Sequence, residues 1–244
     1  YRSVNSAAGL EHDEAGFLVE QGIDVTVEYH CEVLLYEGEV LYAIPGRCAA
    51  PVLMSDGGTY GSVMLGEGLL RDSISELAVR ASRALGLETG FVHCELLQAR
   101  DGSFYVGELG CRPGGAMITY LLKLQHGLNV AALQASLARG ERPQMAWQSR
   151  STSVALRGVP CAAGRVETMT DPAELLAMPG VLDVVPALKV GDVTAGSVGS
   201  LVFGGFVFCE GGTPEEAERR AEATANSWRV NVVPTVSAQA AAHR

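Results

Sequence analysis

The sequence predicts an α+β protein, an antiparallel sheet with flanking helices followed by a small β-rich C-terminal domain. Three observations carry this. Two hairpins with period-two alternation lie at residues 25–44 and 90–110, and each aims acidic side chains at one face. Helical patterns stand between and after them, at 73–86, 117–124 and about 130–139. From Ser153 the texture changes to short β-like pieces punctuated by Gly and Pro and by two capped helices. A boundary near residue 150 gives one domain over 1–150, a smaller one over 151–235 and a tail over 236–244.

Taken in order, residues 1–16 are small and polar, and Phe17–Glu20 reads as a short strand ending in a carboxylate. A turn-like Gln21-Gly22-Ile23-Asp24 leads into a long strand, 25–35, with Glu28, His30 and Glu32 on one face and Val27, Tyr29, Cys31 and Val33 on the other. Glu37-Gly38 turns the chain and Val40–Ile44 returns it. The acidic face of this hairpin is either a site or the wet side of the sheet. Residues 45–71, rich in Gly and Pro, read as a long loop near a site. Ser73 and Glu76 form a capping box for a helix with Ile74, Leu77, Ala78, Ala81 and Leu85 inward, stopped by Gly86.

The second hairpin is the most informative stretch. Phe91, His93, Glu95 and Leu97 share one face of its first strand; Phe104, Val106 and Glu108 share one face of its second. Asp101-Gly102 reads as a two-residue turn, so Arg100 pairs with Ser103 and Glu95 falls opposite Glu108. Opposed carboxylates repel at such range, and a hard divalent cation, Mg²⁺ above all, is the natural neutraliser. The alternatives are a register offset by one or a solvated face. Arg112-Pro113-Gly114-Gly115 follows the hairpin directly.

In the C-terminal part, strands are expected at Val154–Val159, Gly164–Thr168, Leu182–Leu188 and Gly199–Cys209, with helices opening at Asp171-Pro172 and Thr213-Pro214. Gly191–Gly205 is Gly-rich but lacks the Lys-Ser/Thr of a Walker A loop and the strand-then-helix setting of a dinucleotide fingerprint, so hairpin turns are the better reading.

The chain of 244 residues, 48% hydrophobic, can bury a sizeable core. A net charge of −10 argues against nucleic-acid binding. No apolar run reaches transmembrane length and no signal-peptide pattern is present, so no membrane partner is expected. The six cysteines show no CxxC spacing, which points to reduced thiols and a cytoplasmic protein. None has a His in a nucleophile-like context. His93 and His30 read as hydrogen-bonded structural groups, with base or substrate-positioning roles as the alternative for His93. Arg47 is either a carboxylate-binding group or a surface residue.

Together these residues resemble the ATP-grasp superfamily. Residues 17–32 resemble its adenine- and ribose-holding segment, and residues 90–115 its metal-binding hairpin, where two acidic residues are followed by an Asn and an Arg in an E-x-N-x-R pattern. Residues 151–233 are similar to the β-rich C-terminal domain of its carboxylate–amine ligases, the L-amino-acid and peptide ligases. The resemblance implies that Glu20 accepts from the adenine amino group, with backbone near Gln21 and Ile23 reading the ring edge. It implies that Glu28 takes the ribose hydroxyls and that Leu97 packs under the adenine. Glu95 and Glu108 would hold Mg²⁺, with Mn²⁺ as an alternative. Arg112 would neutralise the transferred phosphoryl group, and Gly114 and Gly115 would let backbone N–H groups approach it. The cofactor so implied is ATP with its metal, the reaction ADP-forming ligation of an acid to an amine through an acyl phosphate, and the assembly a homodimer.

There are two departures from the pattern. Gly110 stands where the pattern has Asn, which removes a metal ligand. No Lys-bearing phosphate loop precedes residue 17, and the first Lys is Lys123; the chain is therefore expected to be the C-terminal part of a longer enzyme. These departures keep two alternatives open: a non-catalytic nucleotide-binding or assembly module, and a carboxylase-type subunit using bicarbonate.

Overall fold

A computed structural model describes residues 20–51, 60–196 and 203–234. Residues 17–19 of the expected strand 17–20, the whole tail 236–244 and part of the Gly-rich 191–205 segment lie outside the described residues.

Eleven strands and five helices are described. Val25–Tyr36 (β1) and Glu39–Cys48 (β2) form the first hairpin, and Gly61–Met64 (β3) follows. Helix α1, Leu69–Ala84, leads to Gly90–Ala99 (β4) and Phe104–Gly110 (β5). Ile118–His126 (α2) and Val130–Ala138 (α3) come next, then Ser153–Val159 (β6), Gly164–Met169 (β7), Pro172–Leu176 (α4) and Val181–Pro186 (β8). Val193–Thr194 (β9), Gly205–Gly211 (β10), Pro214–Ser227 (α5) and Val230–Val233 (β11) complete the set. Eight strands make one sheet in the order β5-β4-β1-β2-β3-β6-β10-β8; β11-β7-β9 form a second, smaller one. The boundary expected near residue 150 falls between α3 and β6, and the large sheet continues across it through the β3–β6 pairing.

Alternation along the strands gives the sheet two different faces. Tyr29, Cys31, Val33 and Leu35 of β1 and Val92, Cys94 and Leu96 of β4 bury against Ile74 and Ala78 of α1. On the same side, Ala217 and Ala221 of α5 cover Val63, Ala155, Val207 and Cys209. On the opposite side, Leu34, Ile44, Phe91, Leu156 and Phe208 pack against Leu121, Leu122 and Leu133 of α2 and α3. Arg47, on the α5 side, reaches Glu218 at 2.5 Å and Glu215 at 3.7 Å, so it joins α5 to the sheet rather than waiting for a substrate carboxylate.

Three local expectations are corrected. Residues 45–71 are not one long loop, since β2 runs on to Cys48, β3 occupies Gly61–Met64 and α1 begins at Leu69. Helix α1 starts four residues before the expected capping box, after Gly68 at φ 143, a conformation open to glycine and closed to ordinary side chains. Ser73 and Glu76 become helix-interior residues; Gly86, at φ 74, does stop the helix. The turn of the second hairpin has three residues, not two: Ala99 donates to and faces Ser103, and Gly102 takes the left-handed conformation at φ 86. A bulge at Gly107, between the Leu96–Val106 and Glu95–Glu108 pairs, then restores the expected opposition. The extra residue also separates the side chains that simple alternation had placed together. Phe104 packs on the α1 side with Tyr29, whereas Glu108 stands on the other face with Glu95.

Candidate functional site

Three successive rows cross β1, β4 and β5 on the face away from α1. They are Glu28, Leu97 and Tyr105; His30, Glu95 and Glu108; and Glu32, His93 and Gly110. Seven of the ten expected site residues belong to these rows or to the segment just after β5; Glu20, Gln21 and Ile23 lie elsewhere.

The acidic face is not wet. Glu28, His30, Glu32, Ser62 and His93 are all buried, with Glu32 only 2% exposed. A buried carboxylate is tolerated only when its oxygens are satisfied, and Glu32 meets this from three elements. Its Oε1 lies 2.5 Å from His93 Nδ1 and 3.2 Å from His30 Nδ1. Its Oε2 accepts the Gly114 N–H at 2.8 Å. His30 Nε2 is in turn 2.7 Å from Ser62 Oγ. Burial by itself would raise the Glu32 carboxyl, but the hydrogen bonds with His30 and His93 outweigh it and hold the group at about 2. Burial would lower His93, and its hydrogen bond with Glu32 and the nearby Glu95 carboxylate raise it to about 9. This favours the cationic form of the imidazole at neutral pH. The ligand atoms of His30, Glu32 and His93 lie within 4.8 Å of one another. Even so, an ion bound at the usual 2.0–2.2 Å would hold its ligands roughly 3 Å apart or more. At 2.5 Å, His93 Nδ1 and Glu32 Oε1 are hydrogen-bonded to each other and stand too close to flank an ion.

Two glycines are required by this cluster. A Cβ on Gly114 would lie 2.7 Å from Glu32 Oε1 and 2.9 Å from Ile118 Cγ2. A Cβ on Gly46 would lie 2.4 Å from His30 Nε2. Gly46→Ala is expected to displace the His30 ring and to cost about 1–3 kcal/mol, read from the denaturant midpoint; an unchanged midpoint would show that the ring has room to move.

A cavity of about 390 Å³ opens beside these rows, lined among others by Glu28, Tyr60, His93, Glu95, Arg112 and Gly115. Glu95 and Glu108 face each other across β4 and β5, and both are partly exposed, their side chains at 33% and 58%. The His93 imidazole, with Nε2 at 3.6 Å, holds the Glu95 carboxyl below its ordinary range against the effect of partial burial. Arg112 Nη2 stands 3.5 Å from Glu108 Oε1. Two opposed carboxylates with no third oxygen side chain at Gly110 suit a hard divalent ion that keeps water or phosphate oxygens in its shell. A Cβ on Gly115 would meet nothing within 4 Å, so the backbone there borders open space in which an anion can approach. Past Gly115 the chain takes left-handed values at Ala116 (φ 42) and Met117 (φ 71) before α2 begins. Such strain persists where surrounding structure holds it, and the Tyr60 hydroxyl, donating to the Ala116 carbonyl at 3.0 Å, is one such hold.

The expected nucleotide-binding residues divide between two places. Glu20, Gln21 and Ile23 line a separate pocket of about 510 Å³ together with Arg100 and Tyr105. Glu28 lies in the inner cavity with Glu95. Leu97, paired with Glu28 on one side and Tyr105 on the other, spans the row between the two. Cys48 also lines the inner cavity; burial, with Glu28 nearby, pushes its thiol well up and leaves it a poor nucleophile. The anchoring role of Glu32 was not foreseen. Its only sequence signal was a third acidic residue in phase with Glu28 and His30.

Residues 158–233 match the family described as L-amino acid ligase C-terminal domain 2. The L-arginine-specific L-amino acid ligase of Bacillus subtilis is 23% identical over 198 residues, 79% of this chain and 48% of that protein. Among solved structures, an L-amino acid ligase from Bacillus licheniformis superposes with a TM-score of 0.70 at 22% identity, over 87% of this chain and 53% of its own. Phosphoribosylglycinamide synthetase from Anaerococcus prevotii follows at 0.65 and 15% identity, over 84% and 53%. The chain thus spans about half the length of the proteins it matches.

Proposed function

We propose, for a chain that has the ATP-grasp fold and a C-terminal region of the L-amino acid ligase type, that it carries the metal and phosphoryl-transfer half of an ATP-dependent carboxylate–amine ligase. The observation behind this reading is the opposition of Glu95 and Glu108 across the hairpin, with Glu95, Arg112 and Gly115 lining one cavity beside it. The C-terminal match favours an amino-acid ligase over a carboxylase-type subunit.

In this reading the outer pocket, with Glu20, Gln21 and Ile23, takes the adenine of ATP. Glu28 takes the ribose on the way to the inner cavity. Glu95 and Glu108 would hold Mg²⁺ or Mn²⁺, which would supply positive charge to offset that of the phosphates. A carboxylate oxygen of the acid substrate attacks the γ-phosphorus; a new P–O bond forms, the bond to the ADP oxygen breaks, and an acyl phosphate results. Arg112 stabilises the negative charge spread over the transferred group, and the open backbone at Gly115 lets it come close. The amine nitrogen then attacks the acyl carbon, the C–N bond forms, phosphate leaves and the nitrogen gives up a proton. Activation is needed because a carboxylate is a poor electrophile.

In the full-length protein, Glu108→Ala is expected to abolish ADP release that depends on both acid and amine, as measured by a coupled assay. Near-normal turnover would remove Glu108 from the metal site. Mg·ATP binding without any amide product, by mass spectrometry, would instead favour a non-catalytic nucleotide-binding module.

A further inference from the structure

The three rows contain a vacancy and a candidate that compensates for it. At Gly110 the strand supplies no side chain. Its direct partner across the hairpin is His93. The Arg112 side chain lies over Gly110, its Cγ and Nε each 3.4 Å from where a Cβ would stand. His93, the middle residue of this row, stands between Glu32 and Glu95. His93 Nδ1 is fixed by Glu32 at 2.5 Å, and Nε2 points toward Glu95 Oε1 at 3.6 Å. His93 is buried and Glu32 more so, hence neither side chain is free to swing. Glu32 also holds the Gly114 N–H, so one buried carboxylate anchors a metal-side residue and the anion-side loop together.

We infer that His93, clamped from behind by Glu32, is the positioning residue of Glu95. It fixes the orientation of that carboxylate for a divalent metal at a site where the opposing strand contributes only Glu108. The inference rests on the ligase reading above, since it concerns the same metal site. Its physical basis is that a carboxylate ligand facing a fixed, oppositely charged outer partner, here the His93 ring at 3.6 Å, loses less freedom when it binds, and outer partners carry much of a site's metal affinity. Ser62 and His30 extend the same scaffold without touching Glu95: His30 Nε2 bonds Ser62, while its Nδ1 shares the Glu32 oxygen with His93.

The test compares His93→Leu, which removes the donor while filling similar space, with His93→Gln, which restores an N–H donor. The Mg²⁺ dependence of nucleotide binding is measured by calorimetry on the full-length protein, alongside kcat and KM. For His93→Leu the Mg²⁺ needed for half-maximal nucleotide binding should rise roughly tenfold to a hundredfold, with metal-free nucleotide binding unchanged. His93→Gln should recover most of the loss, a rescue that a purely structural role would not show. A folded His93→Leu protein with the wild-type Mg²⁺ dependence overturns the inference and leaves the ligase reading intact. Wild-type protein that binds no Mg·nucleotide overturns both. Should His93→Leu fail to fold, the ¹⁵N resonance of His93 Nε2 in the wild type decides. It should move when Mg²⁺ is added to the nucleotide-bound protein, and a stationary resonance overturns the inference.

Discussion

Replacing Glu32 with Ala is expected to lower the free energy of unfolding by about 3–5 kcal/mol. The change does not merely remove a contact. It leaves the His93 cation, the His30 Nδ1 and the Gly114 N–H without their acceptor in a region where Glu32 itself is only 2% exposed. An uncompensated buried charge costs more than the original pair contributed, which is why loss of one partner is so much worse than replacement of both. Urea or guanidinium unfolding measures the effect, and a loss under about 1 kcal/mol, the worth of an ordinary exposed pair, would show that water reaches the cluster.

The same cluster sets a pH dependence whose direction differs on its two sides. The folded Glu32 carboxyl, at about 2, lies below the ordinary 4.5. Its stabilisation is complete above 4.5 and is lost as the pH falls toward 2. His93, at about 9, lies above the ordinary 6.5. Its share is complete below 6.5 and is lost as the pH rises through 9. The combined contribution is therefore greatest between 4.5 and 6.5. Thermal unfolding across pH should show wild type falling away on both sides of that window relative to Glu32→Ala, whose profile should be flatter. Parallel profiles for the two proteins would exclude this cluster as the source.

Arg112→Ala should have the largest effect on turnover after the metal ligands, a fall of about 10²–10³ in kcat, the usual loss when a preorganised group facing transition-state charge is removed. The Arg112 side chain is 51% exposed, and its contacts are the Glu108 carboxylate at 3.5 Å and the Pro113 carbonyl at 3.2 Å. Its removal should therefore leave stability within about 0.5 kcal/mol of wild type. Arg112→Lys keeps the charge but not the planar fork, and recovers only part of the rate. Single-turnover measurement of ADP formation separates the two outcomes: unchanged rates in Arg112→Ala would place this guanidinium outside the phosphoryl site.

The opposition of Glu95 and Glu108 was legible because antiparallel pairing is local and period two is visible in residues 91–97. The route to it was not. A three-residue turn and a bulge at Gly107 offset each other, so the pairing came out as expected while Phe104 and Val106 fell on the face opposite Glu108. Turn length and bulges depend on left-handed values at single glycines, and composition alone does not fix which glycine adopts them. The start of α1 failed in the same manner, since the Gly68 conformation decided it over the Ser73–Glu76 signal.

By itself, the sequence determined the α+β class, the two acidic hairpins and the opposition of Glu95 to Glu108, because each is written in neighbours a few positions apart. Only the tertiary structure decided that the acidic face is dry and that Glu32 anchors it. Glu32 meets Ser62 through His30, and it meets His93 and Gly114 directly across 61 and 82 residues of chain. Burial is a property of what covers a face, here the start of α2 and the segment Pro113–Met117. No local pattern in β1 can state whether its carboxylates will end in water or in the company of two imidazoles.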